Sequence, residues 1–236
     1  MPSFDPWEEI KGLNYYNIVM QRKALLIGAQ VAQRLNDPYA ARYYQEKARE
    51  ILSFLEKFND SQRGYVVAVV NQVDGWTHKK SNLDAAAILA TVNGPLDVEY
   101  LQAHYMKVHA TALELERVFR EIYSINKQFN VGVAIGRYPE DVYDGFGFSG
   151  GNPWFITTHA FAEYYCKLAK ANPSQRNSLR ARGVDFLRRS LFHRNQETGE
   201  MSEQISRHNG YLTGVSHLTW SYASFITAAL ACGLGQ

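Results

Sequence analysis

Apolar residues recur every three or four positions along most of the chain, which is the spacing of one buried face of an α-helix. The segment from Asp97 to Tyr123 is the clearest case, and Asp97 is a suitable N-cap residue for it. Its apolar positions are Val98, Leu101, Tyr105, Val108, Ala112, Leu115, Phe119 and Ile122. This pattern predicts one long helix with a single buried stripe.

The same periodicity predicts most of the remaining chain to be helical. Helices are expected at about 7–34, 38–58, 82–92, 153–170, 175–192 and 218–232. Only the stretch YVVAVV, residues 65–70, is typical of a strand or a buried extended segment. The sequence therefore predicts an all-α fold of about seven helices.

Three predicted loops, at 71–81, 124–153 and 194–215, are long and rich in Gly, Asn, Trp and Tyr. Long ordered loops on a helical scaffold are where function usually lies. The segment RYPEDVYDGFGFSGGNPWF, from Arg137 to Phe155, combines charged, aromatic and glycine residues. Aromatic faces and fixed polar groups suit a sugar. Alternatively, Arg137 pairs with Glu140 or Asp141 only to hold the turn together.

Composition and charge exclude several functions. A net charge of +2 among 236 residues is too small to indicate a nucleic-acid partner. No apolar run approaches the length that crosses a membrane, and the N-terminus does not resemble a signal peptide. We find no Gly-rich phosphate cradle and no Cys/His zinc spacing, so we expect neither a cofactor nor a metal.

The two cysteines, Cys166 and Cys232, both lie within apolar helical patterns. Buried free thiols are the simpler interpretation, because cysteine is among the residues most often buried. A disulfide between them stays open.

Two acidic segments are candidates for chemistry: Trp7-Glu8-Glu9, and Glu203 with its neighbour Gln204. Taken alone, each has a structural explanation. Acidic residues in the first turn of a helix are favoured by the helix dipole, and a loop glutamate is usually solvated.

The two acidic segments gain weight because they occur in order with two others. The four are FDPWEEIKGLNYYNIVMQRKALLIGA, GRYPEDVYDGFGFSGGNPWF, GEMSEQ and HLTWSYASFITAAL. Together they resemble successive signature segments of the glucoamylases, glycoside hydrolase family 15. The resemblance runs from about Ser3 to Ala231. One departure is Pro6, where the family usually has leucine before the tryptophan.

The resemblance implies an (α/α)6 toroid that hydrolyses terminal α-1,4 and, more slowly, α-1,6 glucosidic bonds of starch, glycogen or maltooligosaccharides. It implies release of β-glucose with inversion, with Glu8 as the general acid and Glu203 as the general base. The substrate-binding residues that it implies are Trp7, Glu9, Arg137, Asp141, Tyr143, Trp154, Gln204 and Trp220. Such enzymes are often secreted or vacuolar, and the sequence itself does not fix the compartment.

Inversion requires two carboxyl groups on opposite faces of the scissile bond, about 6.5–9.5 Å apart. Glu8 and Glu203 lie near opposite ends of the chain, so they meet only if the helices curve around a common hollow. That geometry is the central expectation from the sequence.

The chain, taken as one domain over residues 1–236, matches only the later part of the toroid. We therefore expect an incomplete toroid with weak or no turnover by this chain alone. Apolar helix faces should be exposed, which favours association with a missing N-terminal segment or with a second copy of the chain. The alternative function is a non-catalytic glucan-binding or regulatory module, as in the glucoamylase-like domains of phosphorylase kinase subunits.

Overall fold

The protein is represented by a computed structural model that describes residues 1–94, 98–128 and 130–234, without the side chains of 98, 99 and 101–105. Asp97, the predicted N-cap, lies outside the described residues. The side chains of Val98, Leu101 and Tyr105, from the predicted stripe, also lie outside them.

The described residues form eight α-helices and seven short strands. In chain order they are β1 (Ser3–Phe4), β2 (Ile10–Asn14), α1 (Tyr15–Arg34), α2 (Pro38–Phe54), β3 (Asn59–Asp60), β4 (Tyr65–Val66), β5 (Val69–Gly75), α3 (Ala86–Asn93), α4 (Val98–Ile122), α5 (Ile125–Gln128), α6 (Phe155–Ala171), α7 (Arg176–His193), β6 (Gln204–Ile205), β7 (Leu212–Thr213) and α8 (Thr219–Ala231). Seven of the helices are longer than one turn, which confirms the predicted number.

The predicted helix bounds hold to within a few residues except at the N-terminus. The helix expected from about Trp7 begins only at Tyr15, because the preceding residues form β1, a tight turn and β2. The Asp5 carboxylate accepts hydrogen bonds from the backbone N–H groups of Glu9 (2.9 Å) and Ile10 (3.3 Å). Glu8 has a φ of 61°, which is incompatible with a right-handed helix. The turn residues Trp7 to Glu9 are therefore not helical.

The predicted extended segment at 65–70 is present, but it divides between two sheets. Tyr65–Val66 pairs with β3, while β5 pairs with β2 in an antiparallel three-stranded sheet of order β1-β2-β5. This sheet fastens the N-terminal turn to the loop that follows β5.

The long helices form two curved layers. Helices α1, α3, α6 and α8 contact one another in that order and make an inner arc. Helix α2 packs outside α1, α4 outside α3, and α7 outside α6. Four inner and three outer helices are part of an (α/α)6 toroid, so the fold expected from the sequence is confirmed in an incomplete form.

All four inner helices begin on the same side of the arc, directly after the segments rich in polar and aromatic residues. Residues 3–14 lead into α1, residues 76–85 into α3, residues 129–154 into α6, and the hairpin of β6 and β7 into α8. On the opposite side, only three residues join α1 to α2 and four join α6 to α7. The alternation of inner and outer helices thus gathers the three predicted long loops at one end.

A single apolar cluster lies between the layers, and it includes the stripe residues Val108, Ala112, Leu115 and Phe119. The two helices at the ends of the arc keep apolar side chains exposed. These are Ile27 and Val31 on α1, and Ile226 and Leu230 on α8. None of the helices within the described ranges has the length and apolarity needed to span a bilayer.

Cys166 in α6 and Cys232 at the end of α8 form a disulfide, so the expectation of free thiols is wrong. The apolar helical pattern was compatible with either state, and only the packing of α8 against α6 places the two sulfur atoms together. The two cysteines are 66 positions apart in sequence, and the bond links the last inner helix, α8, to its neighbour α6.

We expect the double variant Cys166→Ala/Cys232→Ala to lose about 2–4 kcal/mol of unfolding free energy, because the bond restricts the unfolded chain. Urea denaturation with and without a reductant measures this loss. The reductant should destabilise the parent protein and leave the double variant unchanged. An equal response of both proteins to the reductant would contradict the assignment.

Candidate active site

The turn Trp7-Glu8-Glu9 lies between β1 and β2 and presents three side chains in different environments. Trp7 is buried, Glu9 is half-buried and Glu8 is exposed. The end of β5 passes very close to this turn, because a Cβ atom on Gly75 would lie 2.1 Å from the Glu9 carbonyl oxygen. Gly75 also has a φ of 87°, so only glycine suits this position.

A buried ionic cluster supports the turn from below. The indole N–H of Trp7 donates to both carboxylate oxygens of Asp84, at 3.0 and 3.1 Å. Lys79 Nζ lies 2.6 Å from Asp84 and 3.5 Å from Asp5, and its side chain is only 3% exposed. One lysine therefore joins the carboxylate that holds Trp7 to the carboxylate that holds the backbone of Glu9.

The charge of Lys79 is retained despite its burial. Burial disfavours the ammonium form, but the attraction of Asp84 and Asp5 outweighs it and raises the pKa of Lys79. The ammonium also lies 3.9 Å from the centre of the Tyr138 ring, a cation–π contact.

Arg137 is the central residue of the site. Its guanidinium makes a bidentate pair with Asp141, at 2.8 and 2.7 Å, and lies 2.8 Å from the Glu9 carboxylate. Of the two turn-holding partners considered from the sequence, Asp141 is the correct one. Glu140 instead accepts hydrogen bonds from the backbone N–H and the hydroxyl of Ser81.

Asp141 is enclosed, with a side chain that is 1% exposed. Besides Arg137, its carboxylate accepts a hydrogen bond from the backbone N–H of Tyr143, at 2.9 Å. This geometry makes Asp141 a support for Arg137 and for the loop, and its direct contact with a sugar stays a prediction.

Aromatic rings surround the Arg137 guanidinium. The centres of the Trp7, Tyr143 and Trp154 rings lie 5.3–5.5 Å from its central carbon. Trp154 is 6.0 Å from Trp7 and 6.2 Å from Tyr143, measured between ring centres. Of the residues predicted to bind substrate, the structure therefore brings Trp7, Glu9, Arg137, Tyr143 and Trp154 together.

Glu203 reaches the same cluster from the other end of the chain. It precedes β6, and its carboxylate lies close enough to the Tyr143 hydroxyl for that hydroxyl to favour the ionised form and lower the pKa of Glu203. Gly214, just after β7, lies so close that an added Cβ would be 2.7 Å from Glu203 Oε2. With a φ of 73°, Gly214 again requires glycine.

Gln204 orients the Glu203 carboxylate through an amide that is itself fixed. Gln204 Nε2 donates to Glu203 Oε2 at 3.1 Å, while its Oε1 accepts from Asn152 Nδ2 at 3.0 Å. Gln204 is fully buried and supports the Glu203 carboxylate, and its contact with a substrate stays a prediction.

Burial raises the pKa of Glu203, against the opposing effects of the Gln204 hydrogen bond, the Arg137 charge and the Tyr143 hydrogen bond. Burial also raises the pKa of Glu9, opposed chiefly by Arg137 and Tyr138. Tyr138 donates to the Glu9 carboxylate at 2.6 Å. The Gln204 hydrogen bond favours an ionised Glu203, but burial has the larger effect on the Glu203 pKa.

Trp220 occupies a different position from the other candidates. It lies in the first turn of α8, is 43% exposed, and lines a hollow with residues of α3 and α6. The contacts described for Glu203 come from Tyr143, Gln204 and Gly214 rather than from Trp220. The neighbouring Ser221 hydroxyl donates to the Ser202 carbonyl at 2.8 Å, which links α8 to the Glu203 segment.

The arrangement therefore brings two acidic segments, from the two ends of the chain, to one arginine that is enclosed by aromatic rings. In the described part of the chain there is no group of three His, Cys, Asp or Glu residues arranged to hold a metal ion.

Comparison with known proteins gives the family of this chain. The family model described as "Glycosyl hydrolases family 15" matches residues 1–230. The chain belongs to glycosyl hydrolase family 15. Among family 15 relatives, "Glucoamylase 1" of Rhizopus oryzae is 33% identical over 97% of this chain, and the "Glucoamylase" of Blastobotrys adeninivorans is 31% identical over 98%.

Solved structures of family 15 members share the fold. The glucoamylases of Saccharomycopsis fibuligera and Hypocrea jecorina each superpose with a TM-score of 0.83, at 26% and 27% identity, over 98% and 99% of this chain. This chain covers 57% and 44% of those two structures, and 43–44% of the two sequence relatives. It thus spans about half the length of the family 15 proteins it matches.

Sequence reasoning missed several residues that build the family 15 site. Asn152 lies in the quoted GGNPW segment and Tyr138 in GRYPED, so the motif contained them without indicating their contacts. Lys79 and Asp84 had only a weak signal, namely their place in or beside the predicted long loop at 71–81. Asp5 lies within the quoted FDPWEE segment and Gly214 three residues before HLTWSY, but backbone hydrogen bonds and close approaches cannot be inferred from residue type.

We expect Lys79→Met to destabilise the protein by about 3–5 kcal/mol, because it leaves Asp5 and Asp84 buried without their cation. Urea denaturation measures the change in unfolding free energy. Adding Asp84→Asn to this variant should recover part of the loss, because one unpaired carboxylate is then neutral. The exposed-pair variant Lys47→Met is the control and should change stability by less than about 1 kcal/mol. Equal effects of Lys79→Met and Lys47→Met would contradict the buried cluster.

We expect Tyr143→Phe to raise the pKa of Glu203 further, because the lost hydroxyl donated to its ionised form. Carbon-detected NMR titration of the glutamate carboxyl groups measures this pKa directly. The exposed hairpin variant Tyr211→Phe should leave the Glu203 titration unchanged. A lower or unaltered Glu203 pKa in Tyr143→Phe would show that the hydroxyl does not stabilise the carboxylate.

Proposed function

We propose that this chain carries the acid–base machinery of an exo-acting glucosidase. In this proposal it hydrolyses terminal α-1,4, and more slowly α-1,6, glucosidic bonds at the non-reducing ends of starch, glycogen or maltooligosaccharides. β-Glucose is released with inversion, Glu8 is the general acid and Glu203 is the general base.

One observation carries the proposal: both acidic segments converge on Arg137. Glu9, next to Glu8, is 2.8 Å from the guanidinium. The charge of Arg137 and the Tyr143 hydroxyl both lower the pKa of Glu203, and the Tyr143 ring centre is 5.3 Å from the central carbon of the guanidinium. Residues from opposite ends of the chain thus share one small region. Membership of family 15, and relatives named glucoamylase, support the same chemistry.

The acid acts on the leaving group. Glu8 is exposed at the tip of its turn, where its carboxyl group is free to approach a glycosidic oxygen. The turn beneath it is held by Asp5 and by the Trp7–Asp84–Lys79 cluster. Because proton transfer requires the donor within hydrogen-bond reach of the oxygen, a rigid turn keeps the acid aligned.

The base acts on a water molecule at the opposite face of the sugar. The hydrogen bond from Gln204 orients the Glu203 carboxylate, and the nearby Tyr143 hydroxyl favours its ionised form. Its raised pKa makes it a stronger base than an exposed carboxylate at a pH where both are ionised. Attack from this face, opposite to the departing oxygen, gives the inverted anomer.

The region between the acids suits a pyranose ring. Trp7, Tyr143 and Trp154 provide aromatic surface, and Glu9 and Arg137 provide hydrogen-bonding groups. The indole N–H of Trp154 is buried and has no hydrogen-bond partner among the described atoms, so it is available to a sugar hydroxyl.

We expect Glu203→Gln to abolish glucose release from maltotriose while binding persists, because the amide cannot accept the proton of the attacking water. Glu8→Gln should do the same through loss of the acid. The assay follows glucose with a coupled enzyme and its anomeric form by NMR, in which newly released β-glucose indicates inversion. Undiminished turnover by either variant would contradict its assignment.

Glu197→Gln is the matched control, since Glu197 is an exposed glutamate in the same loop as Glu203. It should retain the activity of the parent chain. Maltotriose binding without hydrolysis, even after the earlier part of the toroid is supplied as a second chain, would instead favour the non-catalytic glucan-binding module.

A further inference from the structure

A second aromatic hollow lies beside the candidate active site. It has a volume of about 440 Å³ and is lined by Gly75, Trp76, Thr77, His78, Val142 and Phe148. This volume is within the range of roughly 300–1,000 Å³ that is typical of small-ligand sites. The Trp76 and Phe148 rings meet edge to face with centres 5.4 Å apart, and the His78 ring is 4.8 Å from Trp76.

The hollow is joined to the site through direct hydrogen bonds. The backbone N–H of Trp76 donates to the Glu9 carbonyl at 3.0 Å, so the hollow begins where the acid turn ends. His78 Nε2 lies 3.2 Å from the Tyr138 hydroxyl, which itself donates to the Glu9 carboxylate at 2.6 Å. The hollow therefore adjoins Glu9 and the turn that carries Glu8.

The outer wall of the hollow is open to solvent. Phe148 is 66% exposed, and it lies on the glycine-rich loop that also carries Tyr143. The exposed Phe148 ring presents a flat apolar face to water, and exposing apolar surface is unfavourable unless a ligand covers it. Such a surface fits the C–H face of a pyranose, and the Thr77 hydroxyl and His78 ring supply polar groups beside it.

We propose that this hollow binds the α-glucan chain on the leaving-group side of the scissile bond. The proposal rests on the proposed function. The acid protonates the oxygen that departs with the rest of the chain, so the units beyond that oxygen lie on the Glu8–Glu9 side. An exo-acting site encloses the terminal unit, and the remaining units must run outward to solvent, where Trp76 and Phe148 lie.

The assignment predicts a chain-length effect. Maltose is too short to use the full hollow, whereas maltoheptaose has units to place on both rings. Removing either ring should therefore weaken maltoheptaose binding by about tenfold, the equivalent of roughly 1.4 kcal/mol, and leave maltose binding nearly unchanged.

The test uses the full chain with Glu203→Gln as the background, so that bound sugars are not hydrolysed. Isothermal titration calorimetry compares maltose and maltoheptaose affinities for this background and for the added changes Phe148→Ala and Trp76→Ala. Phe148 is largely exposed, so its truncation should leave the melting temperature unchanged even if the Trp76 variant is destabilised. Phe146→Ala is the matched control, because Phe146 lies on the same loop, is 83% exposed and does not line the hollow.

A selective loss of maltoheptaose affinity in the Phe148 variant, with no change in the Phe146 control, would support the proposal. An unchanged ratio of the two affinities would overturn it. If maltose and maltoheptaose binding weaken equally, the substitution has displaced Glu9 and has not removed a contact specific to the longer chain. Failure of the proposed function appears separately, as glucose release that Glu8→Gln and Glu203→Gln leave undiminished. In that case a chain-length effect would still establish the hollow as a glucan-binding surface.

Discussion

The buried charge of Arg137 is the constraint on which the site depends. A guanidinium that is 4% exposed is tolerated only with charged partners and hydrogen bonds, and here Asp141 and Glu9 supply them. Asp141 comes from the arginine's own loop, but Glu9 comes from the N-terminal turn. Because both carboxylates are needed to balance the Arg137 charge, two segments that are distant in sequence lie next to each other. The surrounding rings of Trp7, Tyr143 and Trp154 exclude water and strengthen each of these interactions.

The toroid geometry makes this convergence possible. Inner and outer helices alternate, so every connection from an outer helix to the next inner helix returns to the same end of the arc. These connections are free to be long and polar, because the apolar faces of the helices already build the core. The short connections at the opposite end serve only to reverse the chain. Glycines at 75 and 214 then allow backbone to approach Glu9 and Glu203 more closely than any side chain would permit.

Glu8 and Glu203, the proposed acid and base, are supported by two separate networks. The turn from Trp7 to Glu9 rests on a buried ionic cluster of Asp5, Lys79 and Asp84, whereas Glu203 accepts a hydrogen bond from the Gln204 amide, which Asn152 holds. The difference has a physical reason. A charged cluster holds the backbone of the turn without touching Glu8, while neutral donors orient Glu203 and still leave it able to accept a proton. The pKa of Glu203 is accordingly set by burial more than by any charged neighbour.

The sequence by itself determined the number and limits of most helices, since helical periodicity depends only on the spacing of apolar residues. It also determined the family and gave the candidate site residues, because the motifs around Glu8, Arg137 and Glu203 keep their residue types in order. Tertiary structure alone decided that Trp7 to Glu9 form a turn between strands, that Cys166 bonds Cys232, and that Lys79 and Asp84 support that turn. Each of these depends on which distant groups meet in the folded chain, and residue type and spacing along the chain do not encode that proximity.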